Sequence, residues 1–396
     1  MTTTINNEHK KLNVPNLRFP EFQGEWEKCK LSEICTFFSG GTPSSSNKDF
    51  YGGNIAFIRS GELHADSTEL FITQDGYDNS SAKMVEVGDL LLAMYGATSG
   101  DIAISKIKGA INQAILCIRT NQNKKFIESV WNKHVSKILR KYLQGGQGNL
   151  SADIVKSISF SFPTLKEQEK IANLISLLDE RITTQSKIIE DLKKLKSAII
   201  EKHYCKVEKQ IACVGDLGEP FSVGNLAKDD LTETGIPCVI YGELFTTYGE
   251  TISQIESHTY KTEGIILSKK GDLLFPSSTT VDAMSLIAPS VINMDGVILG
   301  GDMFGIHISP NFNAQYLSYY FNHIAKRQLA KFAKGSTIIH LHYADIEKAK
   351  LLLPSLEEQN RMAKCLVTLD DKIKKERTFF DLLNSQKAYL LCHMFI

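Results

Sequence analysis

One helix-start sequence occurs twice in this chain, 191 residues apart. The segment PTLKEQEKIA begins at Pro163, and PSLEEQNRMA begins at Pro354. In each copy the proline precedes a good N-cap residue, Thr164 or Ser355, and a glutamate follows three residues later, as in a capping box. The repeat predicts two copies of one structural unit, each containing a helix that starts in the same way.

The repeat continues along each helix as an apolar stripe. Its members are spaced by threes, fours and sevens, which is typical of one face of a helix. Each helix should be about 40 residues long, or roughly 60 Å. Two matched stripes of this length most simply bury each other in an antiparallel coiled coil; two unrelated surface helices are the alternative. The predicted packing residues are Ile171, Leu174, Leu178, Ile182, Ile189, Leu192 and Ile199 in the first helix, and Met362, Cys365, Leu369, Ile373, Phe380, Leu383 and Leu390 in the second.

Strand-like segments precede each long helix. The sequence VGDLL at Val87 has a counterpart, KGDLL, at Lys270, and both lie among short apolar runs separated by Gly, Asn and Asp. The fold class predicted is α+β: two globular mixed α/β domains separated by two long helices that pair as an antiparallel coiled coil, with an internal pseudo-twofold repeat. The predicted domain limits are 1–157 and 206–348 for the globular domains, and 158–205 and 349–396 for the helices.

Charge and cysteine content exclude several classes of protein. The 45 basic and 45 acidic residues give a net charge of zero, so any nucleic-acid surface must be local. The eight cysteines form no C-x-x-C pair, which argues against zinc and against a disulfide scaffold. The chain has no apolar signal-like start and no apolar run of about 18 residues, so we expect a cytoplasmic protein with no membrane contact.

No catalytic or cofactor motif is present in the sequence. It lacks a phosphate-binding loop, a G-x-G-x-x-G turn, and the Asn/Asp-Pro-Pro-aromatic tetrad of amino-methyltransferases. His340 and His342 are a weak metal pair, since no third ligand accompanies them. They could equally belong to a strand, with one ring inward, or to a loop that contacts DNA. We therefore predict no catalytic residue and no metal site.

Two local clusters of basic residues stand out. One extends from Arg119 to Lys141 and the other from Lys326 to Lys334, and each precedes a polar glycine-containing loop. Such a cluster can be a solvated helix face, but its presence in both copies favours DNA contacts. The predicted DNA-binding residues are Thr42, Ser44, Lys48, Arg59, Gln113, Lys141, Gln147 and Asn149 in the first domain, and Tyr241, Thr279, Lys331, Lys334, Ser336, Thr337 and His340 in the second.

These motifs together resemble the DNA-specificity subunit of type I restriction-modification systems. The resemblance rests on PNLRFPEFQGEWEKCKLSEI (15–34), GGTPSSSNKDFYGGNIAFIRSGEL, GATSGDIAI, INQAI and the two helix starts, and it spans nearly the whole chain. The second half departs from it: after GDLLFPSSTTVDA the glycine-rich counterpart of YGATSGD is missing. The departures suggest that the two domains read different sequences.

The resemblance implies a non-catalytic protein that binds double-stranded DNA. Residues 1–157 would read one half of an asymmetric bipartite target and 206–348 the other, while the helix pair sets the spacer between them. The helices would also bind two methyltransferase subunits and, indirectly, two ATP-dependent restriction subunits. No cofactor is expected on this chain, since the partner subunits would use S-adenosylmethionine, ATP and magnesium. A coiled-coil adaptor without sequence-specific DNA binding, and a free-standing nuclease or methyltransferase, are the alternatives.

Overall fold

A computed structural model describes residues 12–142 and 150–396 of the chain. The chain divides into two compact units: 1–186 with 379–396 form unit 1, and 187–378 form unit 2. Both divisions fall inside the long helices, so each unit contains a globular part and a segment of each long helix. The predicted α+β organisation, with two mixed globular parts and two long helices, is confirmed.

Two four-stranded sheets form the globular part of unit 1. The first is antiparallel and centres on Leu90–Ala93, whose four side chains are all buried. The second contains a parallel pair, formed by Tyr51–Ile58 and Gly109–Ile111. In spatial order the strands are Cys35–Ser39, Ile115–Thr120, Leu90–Ala93 and Ile102–Ile104 in the first sheet, and Phe71–Ile72, Tyr51–Ile58, Gly109–Ile111 and Lys83–Val85 in the second.

A 19-residue helix, Lys124–Tyr142, packs against the first sheet of unit 1 and is called its domain helix. Trp131 on this helix is fully buried, and its indole N–H donates to the Gly100 carbonyl at 2.8 Å. A strand pair, Glu27–Lys30 with Ser159–Phe162, leads into the first long helix, Leu165–Lys206. The shorter helical segments are Leu31–Ile34, Lys48–Phe50, Ser60–Glu62, Gln74–Asp78, Gly96–Thr98 and Ala152–Ser157.

Unit 2 has two five-stranded sheets, each with one parallel pair. The central strand Asp272–Pro276 is buried throughout and corresponds to Leu90–Ala93 of unit 1, because both strands begin within the repeated G-D-L-L sequence and contain its two leucines. In spatial order the strands are Gly218–Ser222, Met303–Ile308, Asp272–Pro276, Ser290–Ile292 and Thr251–Ile252 in one sheet, and Leu231–Thr232, Ser257–Thr259, Ile236–Ile240, Ile298–Gly300 and Ile266–Leu267 in the other.

The domain helix of unit 2 is interrupted. It begins as Ala314–Tyr320, passes through one π-helical turn, Phe321–Ala325, and continues as Lys326–Leu329 and the 3-10 turn Ala330–Phe332. Two short sheets complete the unit, Gln210–Cys213 with Lys350–Leu353 and Ser278–Thr279 with Ile339–His340, and the second long helix, Leu356–Met394, follows. The other helical segments are Val214–Leu217, Lys228–Asp230, Glu243–Thr246, Ala283–Leu286 and Tyr343–Ile346.

The glutamine of the repeated helix start makes the same contacts in both units. Its side-chain N–H donates to the carbonyl of the motif's proline, at 2.9 Å in each copy. Its oxygen accepts from the backbone N–H of the asparagine that precedes the domain helix, at 3.1 and 3.0 Å. A fully buried amide with both ends bonded fixes the angle between the two helices. The glutamines are Gln168 and Gln359, and the asparagines are Asn123 and Asn313.

The glutamates of the motif differ from the predicted capping boxes. Glu167 is 1% exposed and accepts from two nitrogens of Arg18, at 2.7 and 2.8 Å. It therefore connects the first long helix to the segment that lies before the first strand of the chain. Glu358 instead contacts His203 at 3.1 Å. The Ser355 hydroxyl accepts from the Glu358 N–H at 3.4 Å, which supplies the serine half of the second box.

In unit 2 the long-helix segments run antiparallel. Lys196 of the first helix contacts Asp370 of the second at 2.7 Å, and His203, further along the first helix, contacts Glu358, which lies earlier in the second. Unit 1 includes the end of the second helix, and Met394 and Phe395 are buried in its core, each 2% exposed.

The predicted stripe is mostly turned away from solvent, with one error. Cys365 is exposed, and the residue beside it, Leu366, is 1% exposed and packs in the core of unit 2. One residue step turns a helix by about 100°, so spacing alone does not decide which of two neighbouring apolar residues faces inward. Ile171, Leu178, Ile189, Met362 and Leu383 are buried, whereas Leu174, Ile182, Leu192, Ile199, Leu369, Ile373, Phe380 and Leu390 are half-buried.

Within residues 12–142 and 150–396, no helix combines the length and the apolar character that crossing a bilayer requires.

Candidate nucleic-acid interface

The glycine-rich loop near residue 40 lies close to a strand edge. A Cβ atom on Gly40 would lie 1.8 Å from the carbonyl oxygen of Ile111, and the Gly41 N–H donates to that same oxygen at 3.2 Å. Only residues without a side chain allow this approach. The two glycines therefore hold the loop against the strand Gly109–Ile111, which presents the polar residues that follow.

Four of the predicted DNA-binding residues are brought together at this edge of unit 1. The Thr42 hydroxyl donates to the side-chain oxygen of Gln113, which lies just beyond the strand. The hydroxyl of Ser44 lies 2.7 Å from that of Ser46, and Lys48 is exposed at the start of a short helical turn. The patch offers hydroxyl and amide groups with a cation beside them, the combination that contacts base edges and phosphates.

Arg59 belongs to a different local arrangement. Its guanidinium contacts Glu62 at 3.0 and 3.2 Å, and the hydrogen bond from Arg59 lowers the pKa of that carboxyl. The Arg59 side chain is half-exposed, so it remains accessible at the surface, but in this conformation its charge is balanced. The contact with Glu62 uses Nε and Nη2, so a contact of Arg59 with DNA in this conformation would have to be made through Nη1.

Most of the basic run in unit 1 faces the protein. Arg119 contacts the buried Asp89 at 2.7 Å, and the Lys124 ammonium donates to the Gly88 carbonyl at 2.6 Å. Burial would raise the pKa of Asp89, but the Arg119 hydrogen bond and the backbone N–H of Glu86 lower it instead. Several cations of the run are therefore paired inside the unit, and DNA contact stays a prediction for its exposed members.

The end of the domain helix in unit 1 carries exposed cations of this run that have no carboxylate contact among the described residues. Lys137, Arg140 and Lys141 are exposed there, and the Lys141 ammonium lies 5.1 Å from the centre of the Tyr142 ring. Gln147 and Asn149 lie outside the described residues.

In unit 2 the predicted residues cluster around a hairpin formed by residues 334–340. The backbone groups of Lys334 and His340 bond to each other at 2.9 and 2.7 Å, and Gly335 has a φ of +117°, which favours glycine. The Lys334 side chain contacts Asp345 and lowers its pKa. Ser336 and Thr337 are exposed at the tip, and Lys331 is exposed on the 3-10 turn before the hairpin.

The hairpin pairs with the segment after the central strand. Thr279 lies opposite Ile339 in this two-stranded sheet, and the rings of His340 and His342 are stacked with centres 6.1 Å apart. No group of three or more His, Cys, Asp or Glu side chains suited to a metal ion occurs in the described part of the chain.

A cavity of about 770 Å³ lies beside this sheet in unit 2. Tyr241 and Thr279 line it together with Ile338. Asn322, which the sequence did not indicate, also lines it, and so does Lys326, which begins the second basic cluster but is not among the predicted DNA-binding residues. Asn322 belongs to the π-helical turn and Lys326 follows it directly. A π turn shifts the facing of the residues after it and has no simple sequence signature, so the period of the helix could not have indicated this placement.

The two units therefore present different polar surfaces on related frameworks. Unit 1 offers the loop patch of Thr42, Ser44, Lys48 and Gln113, whereas unit 2 offers the hairpin tip and the cavity beside it. These groups can donate to and accept from base edges, and the nearby lysines can neutralise phosphates.

Comparison with known proteins agrees with this duplicated arrangement. A family model described as the type I restriction modification DNA specificity domain matches twice, at residues 23–194 and 206–378. The type I restriction enzyme MjaVIII specificity subunit of Methanocaldococcus jannaschii is 23% identical over 398 residues, covering 91% of this chain and 89% of that protein.

Two solved structures share the fold. The crystal structure of the S subunit of a type I restriction-modification system from M. genitalium superposes with a TM-score of 0.64 at 14% identity, covering 97% of this chain and 99% of the other. A chain from a study of complex assembly and conformational transition of the type I restriction-modification system gives a TM-score of 0.56 at 15% identity, with 92% and 96% covered.

Proposed function

Because the chain belongs to the family of type I restriction-modification specificity subunits, with two target-recognition domains, we propose that each domain reads one half of an asymmetric, bipartite DNA target. The double match of the specificity domain is the observation that carries the proposal. It is supported by the different polar surfaces of the two units, since unlike readers select unlike half-sites.

In unit 1 we assign base contacts to Thr42, Ser44 and Gln113, and phosphate contacts to Lys48 and Lys141. Hydroxyl and amide groups can pair with base edges, while an ammonium group is a point charge suited to a phosphate. In unit 2 the base-contacting groups are at the hairpin tip and along the cavity, including Tyr241 and Thr279. Lys331 and Lys326 supply the positive charge there.

We assign the spacing of the half-sites to the two long helices. They are 42 and 39 residues long, and their stripes repeat at a fixed offset. Helices of this length span roughly 60 Å, which is enough to separate recognition elements that lie about one DNA turn, roughly 34 Å, apart. The exposed faces of the helices would bind two methyltransferase subunits, through which two ATP-dependent restriction subunits join.

In this proposal the chain performs no chemistry itself. The methyl donor, S-adenosylmethionine, and ATP with magnesium belong to the partner subunits. The proposed place of action is the cytoplasm, where the chromosomal DNA of such a cell lies.

Methylation mapping tests the reading function directly. The chain is expressed with its methyltransferase in cells without other adenine or cytosine methylation, and modified sites are mapped across the genome. We expect one asymmetric motif with two defined halves and a spacer of constant length. A coiled-coil adaptor that binds only proteins would give no methylated motif. One continuous motif without an internal spacer would refute bipartite reading.

A matched pair of insertions tests the spacing function. One helical turn of four residues is inserted between Ile182 and Leu192, and another at the equivalent place, between Ile373 and Leu383. Four residues lengthen each helix by about 6 Å, or roughly two base pairs. The spacer in the mapped motif should lengthen while both halves stay the same. An unchanged spacer in a correctly folded variant would remove the helices from this role.

A further inference from the structure

A group of charged residues built around the buried Lys196 joins the globular part of unit 2 to both long helices, and its other charged members are partly exposed. Lys196 of the first helix is 8% exposed and contacts Asp370 of the second helix at 2.7 Å and Glu250 of the globular part at 2.9 Å. Tyr319 of the domain helix donates its hydroxyl to Asp370 at 2.5 Å, and His323 contacts Glu250 at 2.8 Å. One lysine therefore connects three parts of the unit.

Glu250 is held in its charged form at this place. Burial would raise the pKa of its carboxyl, but the His323 hydrogen bond and the charge of Lys196 lower it to about 2. The Lys196 ammonium also lies 4.8 Å from the centre of the Tyr319 ring. Loss of Glu250 or Asp370 would take a partner from the Lys196 ammonium, which is the most buried charge of the group, and this is costly.

Unit 1 contains the equivalent helix pair. Asp179 of the first helix contacts Lys387 of the second at 2.6 Å, and these two residues lie 191 positions from Asp370 and Lys196 in the repeat. Lys125 of the domain helix contacts Asp179 at 2.7 Å, and burial, which alone would raise the pKa of Asp179, is outweighed by the bonds from Lys125 and Lys387. Here too one residue of the helix pair binds the globular part.

The aspartate–lysine pair between the two long helices thus occurs in both units, but each unit's globular part contacts a different member of the pair. In unit 1 the domain supplies a cation, Lys125, to the aspartate of the helix pair, whereas in unit 2 it supplies an anion, Glu250, to the lysine. Buried ion pairs add little net stability compared with well-packed apolar groups, but a polar contact with one allowed partner can fix a register. Apolar packing between a domain and a helix tolerates small shifts that a buried charge pair does not.

We propose that these two groups, which we call the unit 1 node (Lys125, Asp179, Lys387) and the unit 2 node (Lys196, Glu250, Tyr319, His323, Asp370), are positioning elements that set where each domain sits on its helix segments. The inference rests on the proposed function, because it makes the spacing at which the two half-sites are read depend on the nodes. The node residues do not contact DNA in this scheme. They act through the orientation of the domains that do.

The test uses the full chain in complex with its methyltransferase subunits, and DNA duplexes carrying the mapped target with its natural spacer or with one base pair added or removed. Lys196→Met keeps the length and packing of the side chain but removes its charge. For the wild type we expect the altered spacers to bind at least about tenfold more weakly than the natural one. For Lys196→Met the difference should shrink to about threefold or less.

Lys194→Met is the matched control. Lys194 lies two residues away on the same helix and pairs only with Glu190 among the contacts of the described residues, at an exposed site. The charge change is the same, and discrimination is a ratio of two affinities measured on the same assembled complex, so a change in methyltransferase binding by the exposed helix face cancels and we expect wild-type discrimination between spacers. Equal loss in both variants would show an effect of helix charge and would overturn the inference.

Salt titration separates positioning from direct DNA contact. Because Lys196 is buried, the slope of log Kd against log salt concentration should be unchanged in Lys196→Met. Tyr319→Phe removes only the hydroxyl that binds Asp370, and should weaken spacer discrimination in the same direction by a smaller factor. This variant keeps the test valid if Lys196→Met fails to fold.

The outcomes are distinguishable. If the folded Lys196→Met and Tyr319→Phe complexes discriminate between spacers as the wild type does, the positioning role of the node is refuted. The proposed function is then unaffected. A wild-type complex without sequence-selective binding would remove the proposed function, and this inference with it.

Discussion

Units 1 and 2 share a buried framework but differ in the surface segments that follow the central strand. Both have a buried central strand that begins within G-D-L-L, a domain helix after a capping asparagine, and a buried glutamine that joins that helix to a long helix. After the central strand, however, unit 1 has a 3-10 turn, Gly96–Thr98, whereas unit 2 has a strand that pairs with the 334–340 hairpin. The shared contacts are buried and the variable ones lie at the surface, which is the pattern expected of one scaffold carrying two readers.

The domain helices show the same contrast. That of unit 1 is one regular helix of 19 residues, whereas that of unit 2 contains a π turn and places Asn322 and Lys326 at a cavity. The counterpart of the buried Trp131 in the repeat is Phe321, the first residue of that turn, and it is buried as well. The domain helix of unit 2 therefore differs from that of unit 1 in its backbone hydrogen bonding, but the aromatic residue at this position is buried in both units.

The largest expected effect tests whether the two readers are independent. Trp131→Ala removes a fully buried ring and leaves the Gly100 carbonyl without its donor, which should lower the unfolding free energy by about 3–5 kcal/mol. Binding to the half-site read by unit 1 should fall, while the other half-site is still protected. Phe321→Ala is the converse variant for unit 2. Half-site footprinting of both complexes is the measurement, and loss of both footprints in either variant would show that the readers are coupled.

The tryptophans make this comparison measurable. Both tryptophans of the chain, Trp26 and Trp131, are buried in unit 1, so their fluorescence reports on that unit alone. Far-ultraviolet circular dichroism reports on both units. A loss of dichroism that precedes the change in fluorescence therefore identifies unfolding of unit 2.

Acid should weaken the unit 2 node. The folded-state pKa of Glu250 is depressed from 4.5 to about 2, so its contribution to stability is present above its unfolded pKa and is lost as the pH falls towards 2. The loss should be on the order of 3 kcal/mol between about pH 5 and pH 2. Glu250→Gln should be less stable at neutral pH but less sensitive to acid.

Circular dichroism and tryptophan fluorescence are followed together in this acid titration. Glu190→Gln is the control, because Glu190 pairs with Lys194 at an exposed site on the same long helix segment. If Glu250→Gln and the wild type lose dichroism along the same pH curve, the carboxylate does not stabilise unit 2 in this way.

The sequence predicted the framework better than the site. The repeat at 191 residues placed both long helices and the two mixed globular parts, because helix starts and apolar stripes are local signals. It could not show that Lys125 binds Asp179, since a lysine on a helix face has the same spacing whether it meets solvent or a buried carboxylate. One sequence feature could have indicated the node residues. Asp179 and Lys196 are repeated 191 positions later as Asp370 and Lys387, close to the apolar stripe.

Errors at single positions have the same origin. The fixed offset of 191 residues predicts Cys365 as a packing residue, but the helix turns its neighbour Leu366 inward. Long-range strand pairing, such as Thr279 with Ile339, depends on contacts that no local pattern encodes. Thr42 and Gln113 are both predicted to bind DNA, but their hydrogen bond to each other depends on the close approach of the glycine loop to the strand Gly109–Ile111, which no local pattern encodes.

A moderate effect is expected from the hairpin that is special to unit 2. Gly335 has a φ of +117°, and a Cβ there would lie 2.0 Å from the Ile338 carbonyl oxygen. Gly335→Ala should therefore cost about 1–3 kcal/mol and displace the hairpin tip. Affinity for the half-site read by unit 2 should fall, with the unit 1 footprint unchanged. Gly61→Ala, where the added carbon meets no atom within 4 Å, should be neutral. Wild-type footprints for Gly335→Ala would exclude the hairpin from the interface.

The smallest expected effect concerns the exposed end of the unit 1 domain helix. Lys141 lies free of carboxylate contacts among the described residues, unlike Lys124 and Lys125, and its assigned role is to neutralise one phosphate. Lys141→Ala should weaken binding to all sequences by a similar factor, and the slope of log Kd against log salt concentration should fall by about 0.9. Lys194→Ala makes the same charge change away from the assigned interface and should leave the slope unaltered. Relaxed specificity at one base pair would instead make Lys141 a base reader, while an unchanged slope would mean that the outward-facing part of the basic run does not touch DNA.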